Sequence, residues 1–191
     1  MRLFIAIELP EHLKQEIGKV QEQLRKSGAD ANWTRPEGIH LTLKFLGEVE
    51  ESRVPAIMIA LAAACQGTGT LRVEIAGASA FPNVKKPRVL WLGVQGDVER
   101  LGAVQVTVER AMTSLGFEAE DKKFSPHLTL ARIRFPRPRD NWQQWIEAIR
   151  DVKLGGFEAG HVSLMKRELR RDGAVYTEIG ASQLKFDTSN P

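Results

Sequence analysis

Residues 40–47 read HLTLKFLG and residues 127–134 read HLTLARIR. The His-Leu-Thr-Leu tetrapeptide is thus written twice in a chain of 191 residues, 87 positions apart (127 − 40 = 87). The same shift lays Phe4-Ile5-Ala6-Ile7 on Trp91-Leu92-Gly93-Val94 and the helical segment after Pro10 on the one after Asp97. Strand, helix, loop and His-x-Thr strand therefore recur at constant spacing, and each copy is followed by a further helix and strand. The repeat predicts an α+β fold of two lobes related by a pseudo-two-fold axis, with two antiparallel sheets, outer helices and an active-site cleft between them. The whole chain, 1–191, reads as one two-lobed domain, with repeats at about 1–83 and 88–180.

The local pattern supports this reading. RLFIAIEL reads as a buried strand. Leu13, Ile17, Val20, Gln21 and Leu24 then follow helical spacing until Gly28 stops the helix. NWTRPEG reads as a loop, because Pro36 keeps Arg35 out of the helical region. A second helix fits Ser52 to Gly67, a third begins at Asp97 as its cap and closes at Gly116, and a fourth covers DNWQQWIEAIRDV. LRVEIAGASAFP, VLWLGVQG, GFEAGHVSLMKREL and AVYTEIGAS read as the remaining strands.

Composition narrows the function classes. Charged residues make up 27% and hydrophobic ones 42%, the balance of a soluble globular protein. The longest apolar stretch, Val54 to Cys65, is too short to span a bilayer, and MRLFIAIELPEH is too short and too early interrupted by Glu8 for a secretory segment. The expectation is a cytoplasmic protein with no membrane partner. One cysteine, Cys65, excludes an internal disulfide and reads as a buried structural residue. The net charge of +3 is mild, but RIRFPRPR, KRELRR and KKPR concentrate it. These are solvated loops or a phosphate-facing surface.

Alternation along a strand puts His40, Thr42 and Lys44 on one face, with Leu41, Leu43 and Phe45 on the other, expected in a core. In the second copy His127 and Thr129 share a face. Two imidazoles across a shared cleft can divide acid and base roles near neutral pH, since the unperturbed pKa is about 6.5. Threonine hydroxyls can hold the non-bridging oxygens of a phosphodiester as charge develops. A metal would need further ligands, and neither strand carries Asp, Glu or Cys on the histidine face; His12 and His161 lie elsewhere. No metal and no cofactor are expected.

At these residues the chain resembles the two-histidine phosphoesterases, defined by two His-x-Ser/Thr motifs. Within that superfamily RLFIAIELP, NWTRPEGIHLTLKFLGEV and SPHLTLARI are similar to the bacterial and archaeal RNA 2′,3′-cyclic phosphodiesterases, also called 2′-5′ RNA ligases. The resemblance runs from Arg2 through Tyr176. It implies metal-independent opening of a 2′,3′-cyclic phosphate at an RNA end, tRNA fragments among the candidates, to give a 2′-phosphate. His40 would be the general acid, His127 the general base, and Thr42 and Thr129 the phosphate ligands. The second name implies a reversible, ATP-independent 2′-5′ ligation. Arg132, in the pattern H-L-T-L-A-R, is a candidate substrate contact, although parity places it opposite His127 unless a bulge turns the strand. Lys44 has the right parity for a phosphate contact. Trp33, Phe81 and Tyr176 could line the cleft or stack bases. Arg167 stands where the resemblance implies a small hydroxyl residue.

Two other readings remain open at this point. One is a cyclic phosphodiesterase acting on a small nucleotide, on ADP-ribose cyclic phosphate or on 2′-5′ oligoadenylate; the other is an RNA-binding module without catalysis. A two-lobed chain that completes its own site has no need of a second copy, so a monomer is expected.

Overall fold

Alternating apolar residues make β1 (Arg2–Glu8) a central strand, with Leu3, Ile5 and Ile7 essentially inaccessible. A computed structural model of the chain describes residues 1–134, 137, 140–171 and 173–186. Pro10 precedes α1 (Glu11–Lys26), which buries Leu13, Ile17, Val20, Gln21 and Leu24, the face that the spacing predicts. The loop expected at NWTRPEG contains a two-residue strand, β2 (Asn32–Trp33), before β3 (His40–Glu48). Next come α2 (Val54–Ala64), β4 (Leu71–Phe81), β5 (Val89–Gly96), α3 (Val98–Ser114) and β6 (His127–Arg132). The chain closes with α4 (Trp142–Ile149), β7 (Lys153–Ala159), β8 (His161–Arg170) and β9 (Gly173–Gln183).

Two antiparallel sheets result, ordered β3-β1-β8-β9 and β2-β6-β5-β4-β7. Helices α2 and α3 pack on the first through β9 and β3; α1 and α4 pack on the second through β7 and β4. The chain therefore passes back and forth. Helix α1 follows a strand of the first sheet yet covers the second, and α3 does the reverse. Strand β4, from the first repeat, pairs in the second sheet, while β8 and β9, from the second repeat, pair in the first.

Three local expectations are corrected. GFEAGHVSLMKREL is not one strand: it breaks at Gly160, where the chain leaves one sheet for the other. Asp97 occupies the start of α3 without a side-chain cap; its carboxylate instead accepts from the Arg72 backbone N–H at 2.9 Å and pairs with Arg100 at 2.9 Å. The strand alignment also slips. His40 lies across from Glu8 and His127 across from Gly93, an offset of 85 (93 − 8 = 85) on the neighbouring strands against 87 for the motifs. Trp91 thus stands beside Thr129 where Ala6 stands beside Thr42.

Both motif strands carry a bulge at the same place. In β3 the partners run Ala6↔Thr42 then Ile5↔Lys44, skipping Leu43; in β6 they run Trp91↔Thr129 then Leu90↔Ala131, skipping Leu130. An extra residue reverses the alternation beyond it. After Leu43 the side chain of Lys44 turns inward and that of Phe45 outward; after Leu130, Ala131 is buried and Arg132 exposed. Two buried glutamines meet the bulges. Gln21 on α1 donates to the Leu130 carbonyl at 3.0 Å and to the Thr34 carbonyl at 2.7 Å, and Gln105 on α3 reaches the Leu43 carbonyl at 3.5 Å. Cys65 is fully buried, as expected, and burial pushes its thiol up to about 11.

Candidate active site

A cleft of about 280 Å³ opens between the sheets, and His40, Thr42, His127 and Thr129 all line it. The strands supply this arrangement directly, since positions two apart point the same way. Each histidine is anchored to the carbonyl two residues before it. Nδ1 of His127 meets the Ser125 carbonyl at 2.7 Å; a carbonyl only accepts, so this nitrogen carries the proton and Nε2 is left for the cleft. The His40 ring donates to the Gly38 carbonyl in the same way. Gly38 permits the close approach of Tyr176: a Cβ there would stand 2.7 Å from the tyrosine ring.

Aromatic rings flank both histidines. The His40 ring packs on Phe4 at 4.5 Å and against the edge of Tyr176 at 5.1 Å. Burial, helped by the nearby positive charge of Lys14 and opposed by the Gly38 bond, pulls its pKa down to about 4. His40 is thus a neutral imidazole at neutral pH. His127 is flanked by Phe81 at 5.1 Å and Trp91 at 6.4 Å.

Of the other expected contacts, Arg132 lines the cleft because the bulge at Leu130 turns it round. Lys44 does not. The bulge at Leu43 sends it away from His40, and its ammonium, 2% exposed, pairs with Glu109 on α3 at 2.7 Å and donates to the Glu118 carbonyl at 2.8 Å. Phe45 is correspondingly not a core residue: it is 67% exposed on the cleft wall. Tyr176 lines the cleft, and Phe81 touches His127, whereas Trp33 lies under the Arg25 guanidinium at 5.3 Å.

Of the basic clusters, Arg88 bonds the Arg134 carbonyl, Lys166 and Arg170 share Glu168, and Arg167 lines the cleft. Residues 135, 136, 138 and 139 of RIRFPRPR lie outside the described residues. Sequence reasoning missed one grouping. Ligand atoms of Glu8, His161 and Glu178 lie within 4.8 Å of one another, brought together by three adjacent strands rather than by any spacing. Among the described residues no helix is long and apolar enough to cross a membrane.

Comparison with known proteins agrees with this geometry. The family model described as LigT like Phosphoesterase matches the chain twice, over residues 7–91 and 92–176. A protein of Methanothermobacter thermautotrophicus named RNA 2′,3′-cyclic phosphodiesterase is 32% identical, the match covering 96% of this chain and 99% of that one. A protein of the same name from Methanocaldococcus jannaschii is 35% identical, over 94% and 98%. Among solved structures, TT0787 of Thermus thermophilus superposes with a TM-score of 0.79 at 27% identity, over 96% of this chain and 98% of that one. With a duplicated match from end to end and a His-x-Thr strand from each copy facing one cleft, the chain belongs to the LigT like phosphoesterases.

Proposed function

We propose that the chain is an RNA 2′,3′-cyclic phosphodiesterase, opening a terminal cyclic phosphate to a 2′-phosphate by acid-base catalysis between His127 and His40. The observation that carries this reading is the pair of anchored imidazoles in one cleft with a threonine beside each. The names of the relatives point the same way.

In this reading Thr42 and Thr129 donate to the non-bridging oxygens of the cyclic phosphate. Nε2 of neutral His127 takes a proton from water, whose oxygen attacks phosphorus. The bond from phosphorus to the 3′ oxygen breaks, and His40 gives that oxygen a proton. The proton count closes: one leaves water to His127, one reaches the 3′ hydroxyl from His40. Burial disfavours protonated His40, so its acid role draws on the phosphodiester anion of the substrate, which favours the charged imidazole. Arg132 adds a guanidinium to the same wall. With a 5′-hydroxyl in place of water, the same forward step forms a 2′-5′ linkage without ATP and frees the 3′ hydroxyl; its reverse breaks that linkage and re-forms the cyclic phosphate. One chain supplies all these side chains and acts as a single two-lobed monomer in the cytoplasm, with tRNA fragments bearing cyclic ends among its substrates.

The test is turnover of an oligoribonucleotide ending in a 2′,3′-cyclic phosphate, in EDTA, by wild type, His40→Ala and His127→Ala. The expected result is a 2′-phosphate product with wild type and loss of turnover by two or more orders of magnitude in each variant. A product carrying the 3′-phosphate, or turnover indifferent to either histidine, overturns the assignment. Dependence on added metal would overturn the metal-free step and direct attention to Glu8, His161 and Glu178.

A further inference from the structure

The cleft also holds a pair of arginines that the chemistry above does not use. Arg2 on β1 lies directly across from Arg167 on β8, and both line the cleft. Like charges directly opposite on adjacent strands repel. Among the described residues no carboxylate pairs with either one. Among the described residues neither guanidinium has a hydrogen bond or ion pair, and Nε of Arg167 is buried without a partner. The neighbouring acids are committed elsewhere. Glu168 pairs with Lys166 at 3.1 Å and with Arg170 at 3.6 Å, and Glu48, across from Arg2 on its other side, approaches the Met1 amino group at 3.6 Å. Buried donors are normally satisfied, so an unpaired one on a cleft wall points to a ligand that completes it.

The position tells which ligand. Ala6 lies across from Thr42 and Arg2 lies four residues along the same strand, about 13 Å away at the usual rise. That backbone separation leaves room for a second phosphate beside the one held by the threonines. Between the two lies the exposed ring of Phe45, across from Phe4. Along β1 and its partner β3 the order is therefore the Thr42 hydroxyl, an aromatic face, then the Arg2 guanidinium, with Arg167 beside it on β8. An anion site, a stacking surface and a second anion site in a line fit a polynucleotide strand.

We propose that Arg2 and Arg167 form a second phosphate subsite, which takes an upstream phosphodiester of the RNA strand whose cyclic end lies at the histidines. This rests on the cyclic phosphodiesterase reading for the identity of the strand. Arginine suits the task, since its fork meets two phosphate oxygens at once. The subsite makes the enzyme prefer an oligomer over a mononucleotide carrying the same cyclic end.

The experiment compares adenosine 2′,3′-cyclic monophosphate with a tetraribonucleotide ending in the same group, using wild type, Arg167→Ser and Arg167→Lys, with thermal melts to verify folding. The expected result for Arg167→Ser is a loss of about tenfold in kcat/KM on the tetranucleotide, through KM, with the mononucleotide unchanged. The log-log salt dependence of tetranucleotide KM should become shallower by about 0.7. Arg167→Lys should keep the salt dependence and recover part of the affinity. Equal losses on both substrates, or no loss on the tetranucleotide, overturn the subsite. If wild type turns over neither substrate, the catalytic reading fails, and the subsite is then judged by fluorescence anisotropy of a labelled tetranucleotide with a 3′-phosphate. Weaker binding by Arg167→Ser upholds it, and equal binding overturns it.

Discussion

Gln21 Nε2 sits 3.0 Å from the carbonyl of Leu130, the residue at which β6 bulges, although 109 positions separate them. The same nitrogen holds the Thr34 carbonyl at 2.7 Å. The pseudo-symmetric contact, Gln105 to the Leu43 carbonyl, is longer at 3.5 Å. The bulges decide what faces the cleft, so these amides support the site without touching it.

Gln21→Leu removes two hydrogen bonds from buried surroundings and should cost about 1–3 kcal/mol, read as a lower urea midpoint. Gln105→Leu should cost less, because its bond is at the limit of useful geometry. Gln21→Leu should also raise KM more than it lowers kcat, since it loosens the wall that carries Arg132. A Gln21 variant as stable as wild type would show that the bulge holds itself.

The neutrality of His40 is open to direct titration. Its imidazole should titrate at about 4 by NMR in the free protein. The folded pKa lies below the ordinary value of about 6.5, so the unfolded chain binds the proton first as pH falls. Stability from this residue is complete above 6.5 and is lost as pH falls toward 4, by on the order of 3 kcal/mol at most. Tyr176→Ala should expose the ring and move its titration upward. A His40 that titrates near 6.5 in wild type would overturn its neutral state at neutral pH.

The ammonium of Lys44 is structural. Lys44→Met takes the ion pair from Glu109 of α3, leaving that carboxylate only the Glu120 backbone N–H, and should destabilise by about 3 kcal/mol. Lys44→Met with Glu109→Leu should restore most of that, a coupling visible in a double-mutant cycle. KM of the folded variants should match wild type. A selective rise in KM for Lys44→Met would return the residue to the substrate.

Phe45→Ala should leave stability within about 0.5 kcal/mol, because the ring is solvent-exposed. It should weaken RNA binding by about 1–3 kcal/mol, the usual contribution of a base stacked on an aromatic ring. Unchanged affinity for RNA would leave the exposed ring without a task.

Much of this site was legible as sequence because it is written as strand alternation around a repeated motif. His40, Thr42, His127 and Thr129 needed only the period of two and the repeat. Lys44, Phe45 and Arg132 lie just beyond bulges, which invert the positions that follow them and have no signature in HLTLKF or HLTLAR. The expected join at GFEAGHVSLMKREL failed for a related reason: two strands in different sheets can be consecutive in sequence with one glycine between them. Glu8, His161 and Glu178 depend wholly on which strands are neighbours.

The exchange of elements between the sheets bears on how the cleft can move. A hinge needs few segments crossing it, so that a handful of dihedrals absorbs the closure. Here α1 and α3 each lie on the sheet opposite the strand they follow, β4 crosses one way, and β8 crosses back. Swinging one lobe against the other would strain all of these connections at once. The gap is therefore braced like a laced seam: its width, and with it the spacing between the two imidazoles, is set during folding.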